Sequence, residues 1–135
     1  MKNVTLGTVN QWCKAVLVWN LMLDVQMGPN LDGGCQTCYG AVDISMDYKT
    51  ITRNSHYYVI SHMASVVRPD AQRIGTAQRS MTKNGLIYSA FHNPDGTYAV
   101  VILNNGDEAL TAVVSDGQKH FRAAIPAQSV VSCKW

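Results

Sequence analysis

The second half of the chain constrains the fold most tightly. From Ala71 onward six segments of β-rich composition follow one another: Gln72 to Ala77, Gly85 to His92, Tyr98 to Asn104, Ala109 to Ser115, His120 to Ala124 and Ser129 to Lys134. Turn signals separate them, namely Lys83-Asn84-Gly85, Asn93-Pro94-Asp95-Gly96, Asn104-Asn105-Gly106-Asp107, Ser115-Asp116-Gly117 and Ile125-Pro126. In the second of these, proline presets φ and glycine tolerates positive φ, which makes it a structural hairpin turn. Short strands at this cadence predict an antiparallel β-sandwich.

The first half keeps a different period. From Leu6 to Lys14 the apolar residues Leu6, Val9, Trp12 and Cys13 recur at helical spacing, predicting a short amphipathic helix. Next comes the apolar run Ala15-Val16-Leu17-Val18, rich in β-branched residues and too short to span a membrane, which reads as a strand buried on both faces. Trp19, Asn20 and Asp24 fall at or just beyond its end, before a polar loop containing Gly28-Pro29-Asn30 and Gly33-Gly34. In sheets of parallel strands, ligands sit at the carboxyl ends, where loops aim side chains into a common cleft. The stretch Ala15 to Gly40 is therefore the expected site wall. A lone helix-strand unit of this kind would leave its strand without parallel neighbours.

Two short strands are expected at Ala41 to Ser45 and Thr50 to Thr52. A helix from His56 to about Val66 follows, with Ser55 as N-cap and Tyr58, Ile60, His62, Met63 and Val66 packed inward. Arg68-Pro69 ends it, because the residue before proline is pushed out of the helical region. The shift in period places a domain boundary between Val67 and Ala71, dividing the chain into residues 1–67 and 68–135. The fold class is α+β: a helix-strand unit with a site loop and connecting helix, then an antiparallel sandwich.

Composition removes several function classes. With 135 residues and 47% hydrophobic content, the chain can bury one domain's core. Its 11 basic and 9 acidic residues are scattered, so no run of Lys or Arg marks a nucleic-acid or membrane-surface footprint. No apolar stretch is long enough for a transmembrane segment, and MKNVTLGTVNQW lacks the apolar core of a signal peptide. In a fragment, that says nothing of export. Four cysteines, Cys13, Cys35, Cys38 and Cys133, are too few for a disulfide scaffold.

Four segments in register resemble one known family. They are WNLMLD at 19–24 with GPN and GGCQTCYGAVDI, then Tyr57-Tyr58 through Arg68-Pro69-Asp70-Ala71-Gln72-Arg73-Ile74, then Ala90-Phe91-His92-Asn93-Pro94-Asp95-Gly96 through Leu103-Asn104, and finally Ile125-Pro126-Ala127-Gln128-Ser129. Together they resemble the C-terminal part of glycoside hydrolase family 30, the glucosylceramidase-like and endo-β-1,6-glucanase enzymes. The resemblance implies that residues 1–67 are the last helix-strand unit of a (β/α)₈ TIM barrel and that 68–135 are the side sandwich. It also implies a retaining β-glycosidase acting on glucosylceramide-like lipids or β-1,6-glucan, no cofactor, a secreted or periplasmic setting, and the missing part of the barrel as partner.

On that resemblance Trp19 and Asn20 are the substrate-binding candidates. An aromatic face packs on the apolar C–H face of a sugar ring, and an amide donates to and accepts from hydroxyls. Composition alone favours a core tryptophan at Trp19, since large aromatics are mostly buried, and the motif match reverses that preference. Val16 and Val18 stand where many relatives carry Trp and Asp, so the surroundings of Trp19 differ from theirs. Retaining glycosidases need two carboxylates roughly 5 Å apart, one to protonate the leaving oxygen and one to attack the anomeric carbon. In the family both are glutamates on earlier barrel strands. This chain has one glutamate, Glu108, in a turn of the sandwich region, while Asp24 matches a loop residue of the family. The expectation is that this chain carries neither catalytic carboxylate.

Cys35-Gln36-Thr37-Cys38 has a spacing compatible with zinc, redox chemistry or a small structural loop. With His56 and His62 a zinc set is conceivable, but the spacing is longer than a zinc finger uses, and the Gly-rich context is unlike a thioredoxin site. Similar relatives carry GGC-x-x-C here, which implies a structural pair stiffening the site rim, oxidised if exported, and no metal. His62 and Arg68 read as residues of the helix-to-sandwich junction, and the sequon Asn3-Val4-Thr5 is a frequent chance match. An alternative function is a stand-alone carbohydrate-binding sandwich with Tyr88, Phe91, Tyr98, Phe121 and Trp135 as platform, though at least three of these alternate inward. A purely structural remnant, in which the lone barrel unit pairs with other chains, is the third reading.

Overall fold

Tyr98-Ala99-Val100-Val101-Ile102-Leu103-Asn104 interleaves no polar residue between its ends, so a strand made from it must be covered on both faces. In the computed structural model, which describes residues 1–76 and 85–135, this run is the strand around which the chain packs. It is the sixth of nine strands among the described residues: β1 (Met22–Asp24), β2 (Val42–Ile44), β3 (Ile51–Arg53), β4 (Gln72–Ile74), β5 (Leu86–His92), β6 (Tyr98–Asn104), β7 (Leu110–Ser115), β8 (His120–Ile125) and β9 (Ser129–Lys134). A π-helical segment Lys2–Gly7 leads into α1 (Thr8–Asn10), and α2 is Ser55–Val66.

Strands β4-β5-β6-β9 form one antiparallel sheet in that order, and β7-β8 form a separate hairpin. Alternation along β6 decides what covers each face. Ala99, Val101 and Leu103 point to a core shared with Phe91, Leu6 of the N-terminal segment and Val66 of α2. Val100 and Ile102 point the other way, to Ala90 and to Ala123 and Ile125 of the hairpin. The sheet is thus the middle layer, with helical segments on one side and the β7-β8 hairpin on the other.

Two buried asparagines tie the layers. Asn93, fully buried, donates through Nδ2 to the Val66 carbonyl (3.0 Å) and to Thr97 Oγ1 (3.0 Å), while its Oδ1 accepts from the Arg68 amide (3.0 Å). The end of α2 is thereby fastened to the β5–β6 turn. Asn104, also fully buried, donates to the carbonyls of Glu108 (2.7 Å), Ile125 (3.2 Å) and Pro126 (3.0 Å) and accepts from the Gly106 amide (2.9 Å). It closes the hairpin against the end of β6. His62 joins the same junction: Ser132 Oγ donates to the His62 carbonyl (3.0 Å), and the same Oγ accepts from His62 Nδ1–H (2.9 Å).

The sandwich strands follow the expected cadence with small shifts. β7 starts at Leu110 and β8 runs on to Ile125, while β4 stops at Ile74. Ala77 and the turn residues Lys83 and Asn84 lie outside the described residues.

The first half departs further from expectation. Ala15 to Val18 forms no strand: it runs without a ladder partner, and Leu17 is 95% exposed. A strand buried on both faces requires a neighbour on each edge, and the described residues supply none for this run. The strand near the site is instead β1, parallel to β2 in the register Met22↔Val42, with β3 antiparallel beyond it. Gly40 permits this pairing, since a Cβ there would lie 2.5 Å from the Val42 carbonyl oxygen and 2.7 Å from the Leu23 amide nitrogen.

The expected helix over Leu6 to Lys14 begins earlier, at Lys2, and ends at Asn10. Trp12 takes a left-handed backbone (φ 66°), which breaks the helix and leaves Trp12 and Cys13 exposed, whereas Leu6 is buried as expected. In α2 the N-cap position belongs to Asn54, in extended backbone, and not to Ser55. Asn54 does not cap with its side chain, which donates to the Gly40 carbonyl (2.9 Å) and so links α2 to the β1–β2 sheet. Val66 and Met63 face the core as expected and His62 is half-buried, but Tyr58 and Ile60 are exposed.

Candidate functional site

Trp19 and Asn20 sit between the unpaired run and β1, joined by a cis peptide bond. Asn20 is held at both ends: its carbonyl accepts from the Ala41 amide (2.8 Å) and its Oδ1 from the Met22 amide (3.2 Å). The Nδ2 group keeps its two protons for other acceptors among the described residues. The Trp19 side chain is 73% exposed. Its ring lines an open depression of about 410 Å³ whose other wall is the first turns of α2, His56, Val59 and Ile60, with Leu17 and Val18 beside it.

The α2 wall was not anticipated in full, since His56 entered only as a conceivable metal ligand. Its signal was present in the spacing, because positions 56, 59 and 60 share one helix face. His56 Nε2 is buried and has no hydrogen-bond partner among the described residues. The depression offers the aromatic face of Trp19 opposite the α2 wall, a surface suited to the apolar face of a sugar ring, while Asn20 follows Trp19 in the chain without lining the depression.

The loop after β1 is built on Asp24. Its Oδ1 accepts from the amides of Gln26 and Gly28, both at 2.8 Å, and a Cβ on Gly28 would lie 3.0 Å from the carboxylate. Asp24 therefore shapes the loop. Cys35 and Cys38 are joined by a disulfide, with Cα atoms 5.6 Å apart, in an exposed segment of the same loop. The two sulfurs expected as a structural pair are bonded to each other. Among the described residues, no three His, Cys, Asp or Glu side chains gather as a metal-binding group.

Glu108 is exposed in the β6–β7 connection, where its carbonyl accepts from Asn104. It does not line the Trp19 depression. The carboxyls that are perturbed all sit in turns. Asp116 is held down to about 2 by the amide of Lys119 (2.7 Å), the Trp135 indole N–H (2.9 Å) and the amide of Gln118 (2.9 Å). Asp95 is lowered by Thr97, whose hydroxyl and amide both donate to it. Burial pushes the Cys133 thiol up. None of these lies at Trp19.

The five aromatics considered as a carbohydrate platform do not form one. Phe91 is buried in the core under α2, and Tyr88, Tyr98, Phe121 and Trp135 are half-buried. Trp135 packs edge-on against Phe121 (centroids 5.0 Å apart) and tilted against Tyr98 (5.9 Å), so these rings serve the interior of the sandwich.

Comparison with known proteins agrees with this architecture. Residues 70–133 match the model of the glycosyl hydrolase family 30 beta sandwich domain. Over 133 residues the chain is 35% identical to endo-1,6-beta-D-glucanase neg1 of Aspergillus fumigatus, covering 95% of this chain and 27% of that protein. It is 26% identical over 118 residues to the lysosomal acid glucosylceramidase of Mus musculus, covering 87% of this chain and 22% of that one. Among solved structures, the endo-beta1,6-glucanase BT3312 superposes with a TM-score of 0.93 at 58% identity, over 99% of this chain and 30% of the glucanase. The chain thus spans less than a third of the length of these relatives. Residues 70–133 thus match the sandwich domain of glycoside hydrolase family 30, and along nearly all its length the chain is similar to endo-1,6-beta-glucanases.

Proposed function

We propose that this chain is the C-terminal portion of a retaining β-glycosidase, in which residues 1–67 complete a TIM barrel and residues 68–135 form the side sandwich that supports it. Trp19 stacks on the sugar ring and Asn20 bonds its hydroxyls. The carboxylate pair that cleaves the bond comes from the remainder of the barrel, because a double displacement needs two acidic groups roughly 5 Å apart and Glu108 stands alone in the sandwich. The Cys35–Cys38 pair stiffens the rim of the pocket.

One observation carries this reading. Among the described residues, Leu17, Leu21 and Leu31, all in the stretch around Trp19, are each more than 70% exposed. Exposed apolar surface of that extent marks a face that is covered in the working protein. The rest of a barrel would cover it and would give the Ala15–Val18 run its parallel neighbours. The substrate class is a β-glucosidic bond. β-1,6-Glucan is favoured over glucosylceramide because the relatives of higher identity are named for the former.

Mixing the chain with a polypeptide holding the first seven strand-helix units of the matched glucanase tests this. Hydrolysis of β-1,6-glucan is expected on mixing, and Trp19→Ala is expected to lower kcat/KM by about tenfold or more, the worth of about 1.4 kcal/mol of stacking. A mixture that hydrolyses equally well with Trp19→Ala would remove Trp19 from the pocket.

A further inference from the structure

A second exposed tryptophan lies outside the Trp19 depression. Trp12 follows α1, is 70% exposed, and carries the guanidinium of Arg73 on its ring, with Cζ 3.7 Å from the ring centroid. Arg73 belongs to β4, so the contact clamps the tail of the N-terminal helical segment to the edge of the sandwich sheet. Arg73 Nε is buried and finds no hydrogen-bond partner among the described residues. The tryptophan ring takes the place of a polar partner.

The segment bearing Trp12 is held in place just before it. Asn10 Nδ2 donates to the Tyr88 carbonyl (3.1 Å) and its Oδ1 accepts from Ser89 Oγ (2.5 Å), both on β5. The Trp12 amide then donates to the Val9 carbonyl (3.0 Å), and the residue adopts a left-handed backbone that a bulky side chain rarely takes. A large aromatic kept exposed in an unfavourable backbone conformation, by a cation on one face of its ring, is an outlier of the kind that accompanies binding sites. Restrained from one side, the ring presents its other face outward as a fixed flat surface.

We infer that Trp12, positioned by Arg73, is a glucan-binding platform separate from the Trp19 pocket, taking a glucosyl unit of a polymeric substrate on its free face. The inference rests on the β-glucan reading of the function for its ligand class, and on the Trp12–Arg73 geometry for its place. A polymer held at a second point stays near the pocket between encounters, which raises its effective concentration there. The platform requires no residue of the Trp19 depression, and Trp12 does not line it.

The test is protection from oxidation. The chain is treated with N-bromosuccinimide with and without soluble β-1,6-glucan, and oxidation of the peptides containing Trp12, Trp19 and Trp135 is followed by mass spectrometry. Glucan is expected to slow oxidation of Trp12 about fivefold or more, while dextran leaves its rate unchanged. Protection of Trp19 alone would overturn this inference and leave the pocket reading standing. Protection of Trp12 alone would support the inference against the pocket reading, and protection of neither would defeat both. In affinity electrophoresis through gels containing β-1,6-glucan, Trp12→Ala is expected to weaken retardation about fivefold and Trp12→Phe to restore most of it. Retardation of Trp12→Ala equal to wild type, with an unchanged melting temperature, would overturn the platform.

Discussion

At the scale of single residues, the junctions depend on side-chain amides. Asn93 satisfies one carbonyl, one amide and one hydroxyl from a fully buried position, so Asn93→Ala removes all three bonds and leaves the buried Val66 carbonyl without this partner. It is expected to cost about 2 kcal/mol, read by urea denaturation, since an unsatisfied buried partner costs about 1–3 kcal/mol. A loss below about 0.5 kcal/mol would show that the clamp at the end of α2 is not needed. Asp116 supplies a pH test. Its folded pKa is depressed to about 2, so the stability it contributes is present above the ordinary carboxylate value of 3.8 and disappears as pH falls toward 2. An NMR titration of the Asp116 carboxyl is expected to give a midpoint near 2 in the folded chain, and a midpoint near 4 would contradict its set of contacts with Lys119, Trp135 and Gln118. Both asparagines were legible as turn residues. Their burial was not, because the carbonyls they satisfy, Val66 for Asn93 and Ile125 for Asn104, lie 27 and 21 residues away in sequence.

Among the elements, β6 was the most legible, because an apolar run that long can only be covered on both sides. Val101, fully buried under Leu6 and Val66, tests that reading. Val101→Ala is expected to destabilise by about 2 kcal/mol through lost burial and the cavity left behind, whereas Val113→Thr on the exposed face of the hairpin should stay within about 0.5 kcal/mol. Thermal melts of the two variants that shifted equally would contradict the three-layer arrangement. The six sandwich segments were found because turns and alternation are local signals. The run Ala15–Val18 was misread for the opposite reason: its composition is that of a buried parallel strand, yet strand formation depends on neighbours a sequence window cannot see. The place of Trp12 was equally hidden, since the partner of its ring is a cation on β4, 61 residues downstream.

For the whole molecule, the sandwich and the first 60 residues differ in how they treat apolar surface. The sandwich buries its own on both faces of one sheet, while the earlier residues hold up Leu17, Trp19, Leu21 and Leu31 uncovered. The candidate site was legible only through the motif around Trp19 and Asn20. The wall contributed by α2 required the fold, because nothing local brings positions 56–60 beside position 19. On the proposed function, in which the carboxylate pair comes from the remainder of the barrel, the chain should recognise sugar without cleaving it. Release of reducing sugar from β-1,6-glucan by the purified 135-residue chain measures this most directly. No release above buffer is the result expected, and steady hydrolysis that co-elutes with the chain and is abolished by Glu108→Gln would contradict it.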